Sequence, residues 1–274
     1  MRLNKRTSEK RPGGGYKSAV QAFFDIWHDT GYLLEVREGM GTNMEIYGFQ
    51  KTTLLDYPGH VAATLFTGGC NFRCPFCHNG NLVLLPDSES TIAEEEILVY
   101  LKKRSGILEG VCITGGEPTL QTDLREFIVR VKELGYLIKL DTNGYRPQML
   151  WKLLEEELLD YVAMDVKASL LNYKKATGCP GVDLSRIEES IAILKSSGID
   201  YEFRTTVVKG IHTVAEFDSI GRLLEGAKAY YIQAYRENEN VLSGGYEAFS
   251  TDVMNEMAEM ARKYIDKVEL RGVE

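Results

Sequence analysis

The chain has 274 residues, 44% hydrophobic and 26% charged, which is enough for one sizeable core. Its formal net charge of −8 argues against general nucleic-acid or anionic-membrane binding, and no apolar run approaches the ~18 residues of a membrane-spanning helix. Five cysteines, an odd number, do not read as a disulfide framework, and the start lacks a secretory-type apolar segment, so a cytoplasmic protein is expected.

Arg2 to Lys17 carries six basic residues and one acid, Glu9, around Pro12-Gly13-Gly14-Gly15, a composition that predicts disorder. Residues 18–36 can form a short amphipathic helix through Val20, Phe23, Phe24 and Trp27. Residues 1–43 are therefore treated as an N-terminal extension and 44–274 as the main domain. Met40 and Met44 are alternative starts, because a βα pattern begins at Glu45.

Val61 to Thr67 is the first apolar strand, and a cysteine-rich loop follows it. Thr91-Ile92-Ala93-Glu94 reads as a capping box opening a helix that ends near Gly106. Gly110 to Thr114 is a second strand, ending in Gly115-Gly116-Glu117-Pro118. A helix from about Asp123 stops at Gly135. Leu137 to Leu140 is a third strand, ending at Asp141-Thr142-Asn143-Gly144, and Pro147 suits the first turn of the next helix. Tyr161 to Asp165 is the fourth strand, Tyr201 to Val208 the fifth and Ala229 to Ala234 the sixth. Helices are expected near 185–197, after a second capping box at Thr213-Val214-Ala215-Glu216, and over 251–264. Six βα units of roughly 30 to 45 residues predict an α/β fold: a partial (β/α)6 barrel with a C-terminal helix, smaller than the eight-stranded form of ~250 residues. The polar and Gly-rich clusters follow the strands, at the C-terminal mouth where such barrels carry their sites.

Cys70-Asn71-Phe72-Arg73-Cys74-Pro75-Phe76-Cys77 places three thiols in a C-x3-C-x2-C spacing. Three ligands on one loop suit a cubane iron–sulfur cluster whose fourth iron is open to a small molecule; clusters that only transfer electrons normally have four protein ligands. Zinc would need His78 as a fourth ligand, awkward directly after Cys77. A thioredoxin-like reading of Cys74 and Cys77 leaves Cys70 unexplained. Cys112, in an apolar strand, reads as core, and Cys179 as a loop residue; neither has partners for a second cluster.

Over roughly residues 45–274 the chain resembles the radical S-adenosylmethionine (SAM) enzymes. Cys70, Cys74 and Cys77 are similar to their cluster motif, and Thr114-Gly115-Gly116-Glu117-Pro118 to their GGE motif. Asp56-Tyr57-Pro58-Gly59 and Cys77-His78-Asn79 narrow the resemblance to activating enzymes of glycyl-radical proteins, in particular the longer anaerobic ribonucleoside-triphosphate reductase activating proteins. The resemblance implies one [4Fe-4S] cluster on the three cysteines and SAM on its open iron. Phe76 would lie beside the adenine, Gly115 and Gly116 would let backbone approach the ligand, and Glu117 would accept from the SAM ammonium. Asp141, Thr142 and Asp165 match residues that hold a monovalent cation in the related pyruvate formate-lyase activating enzymes. Lys167 and Arg204 would act at SAM from the barrel mouth; Arg204, inside an apolar strand, needs an anionic partner such as Glu117 or Asp165. Gln233 stands where the pyruvate formate-lyase relatives have a His near the adenosyl group. The implied activity is reductive cleavage of SAM and hydrogen abstraction from a glycine of a partner enzyme, with flavodoxin or ferredoxin as electron donor. The expected partner is the anaerobic ribonucleotide reductase, with another glycyl-radical enzyme of the pyruvate formate-lyase type as an alternative. A radical SAM enzyme acting on a small molecule or RNA is a further alternative, and a non-catalytic metal scaffold a remote one.

Overall fold

The computed structural model describes residues 44–85 and 90–273; the basic stretch and the amphipathic helix expected before Met44 lie outside them. Eight strands form one open sheet in chain order. β1 (Ile46–Thr53) runs antiparallel to β2 (Ala62–Thr67). From β2 onward every neighbouring pair is parallel: β3 (Gly110–Gly115), β4 (Leu137–Thr142), β5 (Tyr161–Asp165), β6 (Asp200–Val207), β7 (Tyr230–Ala234) and β8 (Val268–Arg271). The six predicted strands all form. β1 and β8 add an edge on each side, so the described residues hold seven parallel strands rather than six. β8 has only four residues and β1 is largely half-buried or exposed, so neither shows the apolar run that marks a buried parallel strand.

The crossover helices pack outside the sheet. They are α1 (Gly80–Leu84), α2 (Glu94–Arg104), α3 (Leu124–Glu133), α4 (Pro147–Glu155), α5 (Tyr173–Thr177), α6 (Leu184–Ser196), α7 (Glu216–Leu223) and α8 (Thr251–Ala261). The core lies between these helices and the outer faces of the strands. Val111, Ile138, Leu140, Val162, Phe203 and Ile232 are fully buried there, with Phe127, Leu153, Leu194, Phe217 and Met257 from the helices. Among the described residues, no helix is long and apolar enough to cross a membrane.

Neither capping box forms. Ala93 and Ala215 stand at the N-caps of α2 and α7, without a side-chain cap. Their glutamates accept from distant groups instead, a backbone N–H in each case. Glu94 Oε1 accepts Met44 N–H at 2.7 Å. Glu216 Oε1 accepts Ser169 N–H at 2.7 Å, and Oε2 accepts Asn172 Nδ2–H at 3.2 Å. A buried backbone donor without another partner is the stronger demand, and the glutamates answer it.

The base of the barrel is closed by Asp56-Tyr57-Pro58-Gly59. Tyr57 is 2% exposed and meets Tyr161 at 6.0 Å between ring centroids. Inside the barrel, Glu202 accepts two bonds from Arg271, at 2.6 and 2.8 Å, and one from Tyr161 Oη–H at 2.8 Å. This layer seals the base and leaves the opposite, C-terminal end of the strands open.

Candidate active site

Three cysteines share one loop because glycine and proline shape it. Gly69, at φ +77°, leads the chain out of β2, and its N–H donates to Leu82 O at 2.8 Å. Pro75 stands second in the turn Cys74-Pro75-Phe76-Cys77, which closes with Cys77 N–H donating to Cys74 O at 3.0 Å. Neighbouring loops clamp it from two sides. Arg73 N–H donates to Thr177 O at 2.8 Å, Leu242 N–H to Cys77 O at 3.0 Å and Ser243 N–H to Pro75 O at 2.8 Å.

The three thiols line one cavity of about 830 Å³, counting its open mouth, together with Phe76, Gly115, Gly116, Glu117, Asp141, Thr142, Asp165, Lys167 and Arg204. Twelve of the thirteen sequence-predicted site residues therefore meet in one place, and Gln233 is the exception. It lies beside Thr206 in the β6–β7 register, and Thr206 is the one that reaches the cavity.

Gly115 and Gly116 line the cavity, and packing against the neighbouring loop requires both to be glycine. A Cβ on Gly115 would stand 2.4 Å from Thr67 N, and one on Gly116 would stand 2.0 Å from Gly69 O. The glycines let the end of β3 press against the cysteine loop. Gly116 N–H donates to Thr67 O and Glu117 N–H to Gly69 O, both at 2.8 Å, and Asn79 Nδ2–H donates to Gly115 O at 2.8 Å. Glu117 is only 1% exposed and largely engaged with protein. Its Oε1 accepts from Thr119 N–H at 3.1 Å, Thr119 Oγ1–H at 2.5 Å and Thr142 Oγ1–H at 2.7 Å; its Oε2 accepts from Asn143 N–H at 2.7 Å. Burial still pushes its pKa above the usual carboxylate range, against the pull of those bonds. Oε2 is the oxygen with room for a further donor.

A chain of charges runs across the far wall. Lys139 is paired with Asp141, and Arg204 donates to Asp141 Oδ2 at 3.1 Å and to Asp165 Oδ1 at 2.8 Å. Lys167 donates to Asp165 Oδ2 at 2.8 Å. Arg204 thus finds Asp165, as expected, and Asp141 in place of Glu117. Burial alone would raise both aspartates; the Arg204 guanidinium, with Lys139 at Asp141 and Lys167 at Asp165, outweighs it and holds them below their ordinary range. Burial alone would lower Lys139 and Lys167, and the neighbouring carboxylates reverse that direction. The Lys167 carbonyl accepts from His212 Nε2–H at 2.9 Å, which fixes the backbone below its side chain.

The donor set fits a cluster. Burial pushes the thiol of Cys70 up to about 11 and that of Cys74 up to about 12, against the pull of the nearby Lys167 ammonium; a bound metal ion would favour the thiolates that ligate it. Phe72 N–H donates to Cys70 Sγ at 3.4 Å, the kind of bond that tunes cluster sulfur. Asn71 Nδ2 and His78 Nε2 are buried without a hydrogen-bond partner beside the cysteines, an arrangement that an incoming polar group would satisfy. Among the described residues, no group of three or more His, Cys, Asp or Glu side chains is gathered to hold a single metal ion.

The Radical SAM superfamily pattern matches residues 64–224. A Methanocaldococcus jannaschii protein named as a glycyl-radical enzyme activating enzyme is 31% identical over 235 residues, 83% of this chain and 96% of the relative. The chain belongs to the radical SAM superfamily. It is also similar to a Thermococcus kodakarensis protein named as a GTP 3′,8-cyclase, 34% identical over 157 residues, but this match spans 56% of the chain and half the length of that relative. Streptococcus suis SuiB bound to S-adenosylmethionine shares the fold, with a TM-score of 0.57 at 15% identity over 74% of this chain and 48% of that one.

Within this radical SAM chain, sequence reasoning missed His78, Asn79, Asn143, Thr206 and Lys139 as site residues. His78 and Asn79 entered only as marks of resemblance, yet His78 stacks on Tyr235 with ring centroids 5.4 Å apart and 12° between planes. Lys139 carried the same signal as Arg204, a charged residue inside an apolar strand, and is 2% exposed.

Proposed function

We propose that this radical SAM enzyme activates a glycyl-radical protein, the anaerobic ribonucleoside-triphosphate reductase. What carries the reading is the meeting of Cys70, Cys74 and Cys77 with the cationic wall of Lys167 and Arg204 in one cavity, joined to a nearly full-length relationship with a protein named as a glycyl-radical enzyme activating enzyme. Cys70, Cys74 and Cys77 would hold one [4Fe-4S] cluster; when bound, it would pass an electron from flavodoxin or ferredoxin to SAM for cleavage to methionine and a 5′-deoxyadenosyl radical. Lys167 and Arg204 would orient the SAM carboxylate and ribose, Phe76 would lie beside the adenine, and Glu117 would accept from the ammonium. The sealed base of the barrel keeps water from the reacting centre. The hydrogen comes from a glycine of the partner presented at the open mouth; the chemistry is the cofactor's and no general base is needed. Asp141 and Asp165, the expected cation ligands, are already paired with protein cations.

The matches to proteins named as GTP 3′,8-cyclases favour one second reading, a radical SAM enzyme acting on a small molecule. One experiment separates the two. The protein is reconstituted anaerobically with iron and sulfide, reduced, and given SAM with and without the reductase. A glycyl-radical signal in the reductase's paramagnetic resonance spectrum is expected. SAM cleavage without that signal sends the assignment to a different partner or to a small substrate. A fully loaded protein that never cleaves SAM would end the radical SAM reading of the activity.

A further inference from the structure

The wall behind the cavity contains more positive than negative charge. Its two carboxylates, Asp141 and Asp165, present four oxygens, and each already has a cationic partner. Asp141 Oδ1 faces Lys139 Nζ; Asp141 Oδ2 accepts from Arg204 Nη1–H at 3.1 Å and from Thr114 Oγ1–H at 3.2 Å. Asp165 Oδ1 accepts from Arg204 Nε–H and Asp165 Oδ2 from Lys167 Nζ–H, each at 2.8 Å. Three protein cations serve two carboxylates. A bound alkali cation takes hard carboxylate oxygens, and here it would have to displace an ammonium or guanidinium that has nowhere else to go. Lys139 is the clearest case. Its side chain is 3% exposed, and besides Asp141 its Nζ meets only Cys112 Sγ at 3.7 Å and the face of the Tyr161 ring, 6.0 Å from the centroid, among the contacts of the described residues. It enters from below, on the barrel-interior face of β4, two residues before Asp141 on the same side of the strand. Adding an alkali ion would leave two uncompensated positive charges in a buried site, and such charge is costly there.

We infer that Lys139 and Arg204 supply from the protein the positive charge between Asp141 and Asp165, so that this site binds SAM without a monovalent cation. Lys139 is a positioning residue: it holds Asp141, Asp141 and Asp165 hold Arg204, and the single surplus charge is left for the ligand's carboxylate to complete. The inference rests on the SAM-binding reading of the cavity.

The test is SAM binding to the cluster-loaded protein, measured by anaerobic equilibrium dialysis in tetramethylammonium chloride and in potassium chloride at equal ionic strength. Wild type is expected to bind with the same Kd within about twofold in both salts. Lys139→Met leaves two cations for two carboxylates and opens a place for an ion. It is expected to bind roughly tenfold more weakly in tetramethylammonium and to recover most of that loss in potassium. Lys139→Arg keeps the charge and is expected to behave as wild type, which separates charge from packing should the Met variant fold poorly. A wild-type affinity that collapses when potassium and sodium are removed overturns the inference and leaves the SAM reading standing. A Lys139→Met protein that loads iron but is equally weak in both salts also overturns it, because the role is then structural. Failure of loaded wild type to bind SAM in either salt sinks the SAM reading and the inference with it.

Discussion

Cys70, Cys74 and Cys77 have different surroundings from the other two cysteines. Cys112 is fully buried in β3 beside Lys139 and Asp141, and Cys179 lies in the loop after α5. Replacing any one of the three loop cysteines by Ser should reduce reconstituted iron from about four per chain to a small fraction, because a cluster missing one of three protein ligands is not retained. Cys179→Ser should keep the wild-type iron content. Iron analysis with circular dichroism decides both, and retention of a full cluster in Cys74→Ser would refute the ligand assignment. The same scale shows why residue type alone misleads at Glu117. Its carboxylate is mainly a knot between the ends of β3 and β4, holding Thr119, Thr142 and Asn143, and only Oε2 is available to a ligand.

At the scale of elements, the ends of β2 and β3 are pressed together so that the cysteine loop and the Gly115-Gly116 turn share backbone bonds. Gly116→Ala puts a Cβ 2.0 Å from Gly69 O, a backbone atom that cannot rotate away. The expected cost is about 1–3 kcal/mol or more. A lowered urea midpoint should accompany poorer iron incorporation, since the displaced segment is the one leading into Cys70. A variant with wild-type midpoint and iron content would show that the turn yields freely. Tyr57 tests the opposite end of the barrel. Tyr57→Ala removes a ring packed on Tyr161 and His60 and should cost about 3 kcal/mol in urea unfolding. SAM affinity of the surviving folded protein should be unchanged, because the polar layer of Tyr161, Glu202 and Arg271 lies between the base and the cavity. A matching loss of SAM affinity would contradict that separation.

For the whole molecule, the charge layers inside the barrel set the response to acid. Burial would raise Asp141, Asp165 and Glu202, but their guanidinium and ammonium partners hold all three below the ordinary carboxylate range. As pH falls through about 4, the unfolded chain therefore takes up protons that the folded chain refuses, and stability is lost. Glu117 has the opposite sign: burial raises it, so its contribution favours the folded state at low pH and fades as pH rises through its folded pKa. Three lowered groups against one raised group predict a clearly lower urea midpoint at pH 4 than at pH 7. Asp165→Asn should flatten that slope. A midpoint that is equal at the two pH values would mean the buried pairs do not titrate with folding.

Most of this protein was legible along the chain. The six apolar strands, their glycine-marked ends and the polar clusters after them gave the barrel, because a buried parallel strand must be apolar and its connections short. The cysteine spacing marked the loop without help from distant residues, since all three cysteines lie within eight positions. The charge network was not legible in the same way. Lys139, Asp141, Asp165 and Arg204 come from three strands and Lys167 from the loop just after β5, and which carboxylate meets which cation depends on register and on where each side chain turns inside the barrel. The capping boxes failed for a related reason: Glu94 and Glu216 were claimed by backbone N–H groups 50 and 47 residues away, partners that no local pattern can name. Local sequence set what each segment could form, and tertiary structure decided which buried donor or charge each polar side chain had to answer.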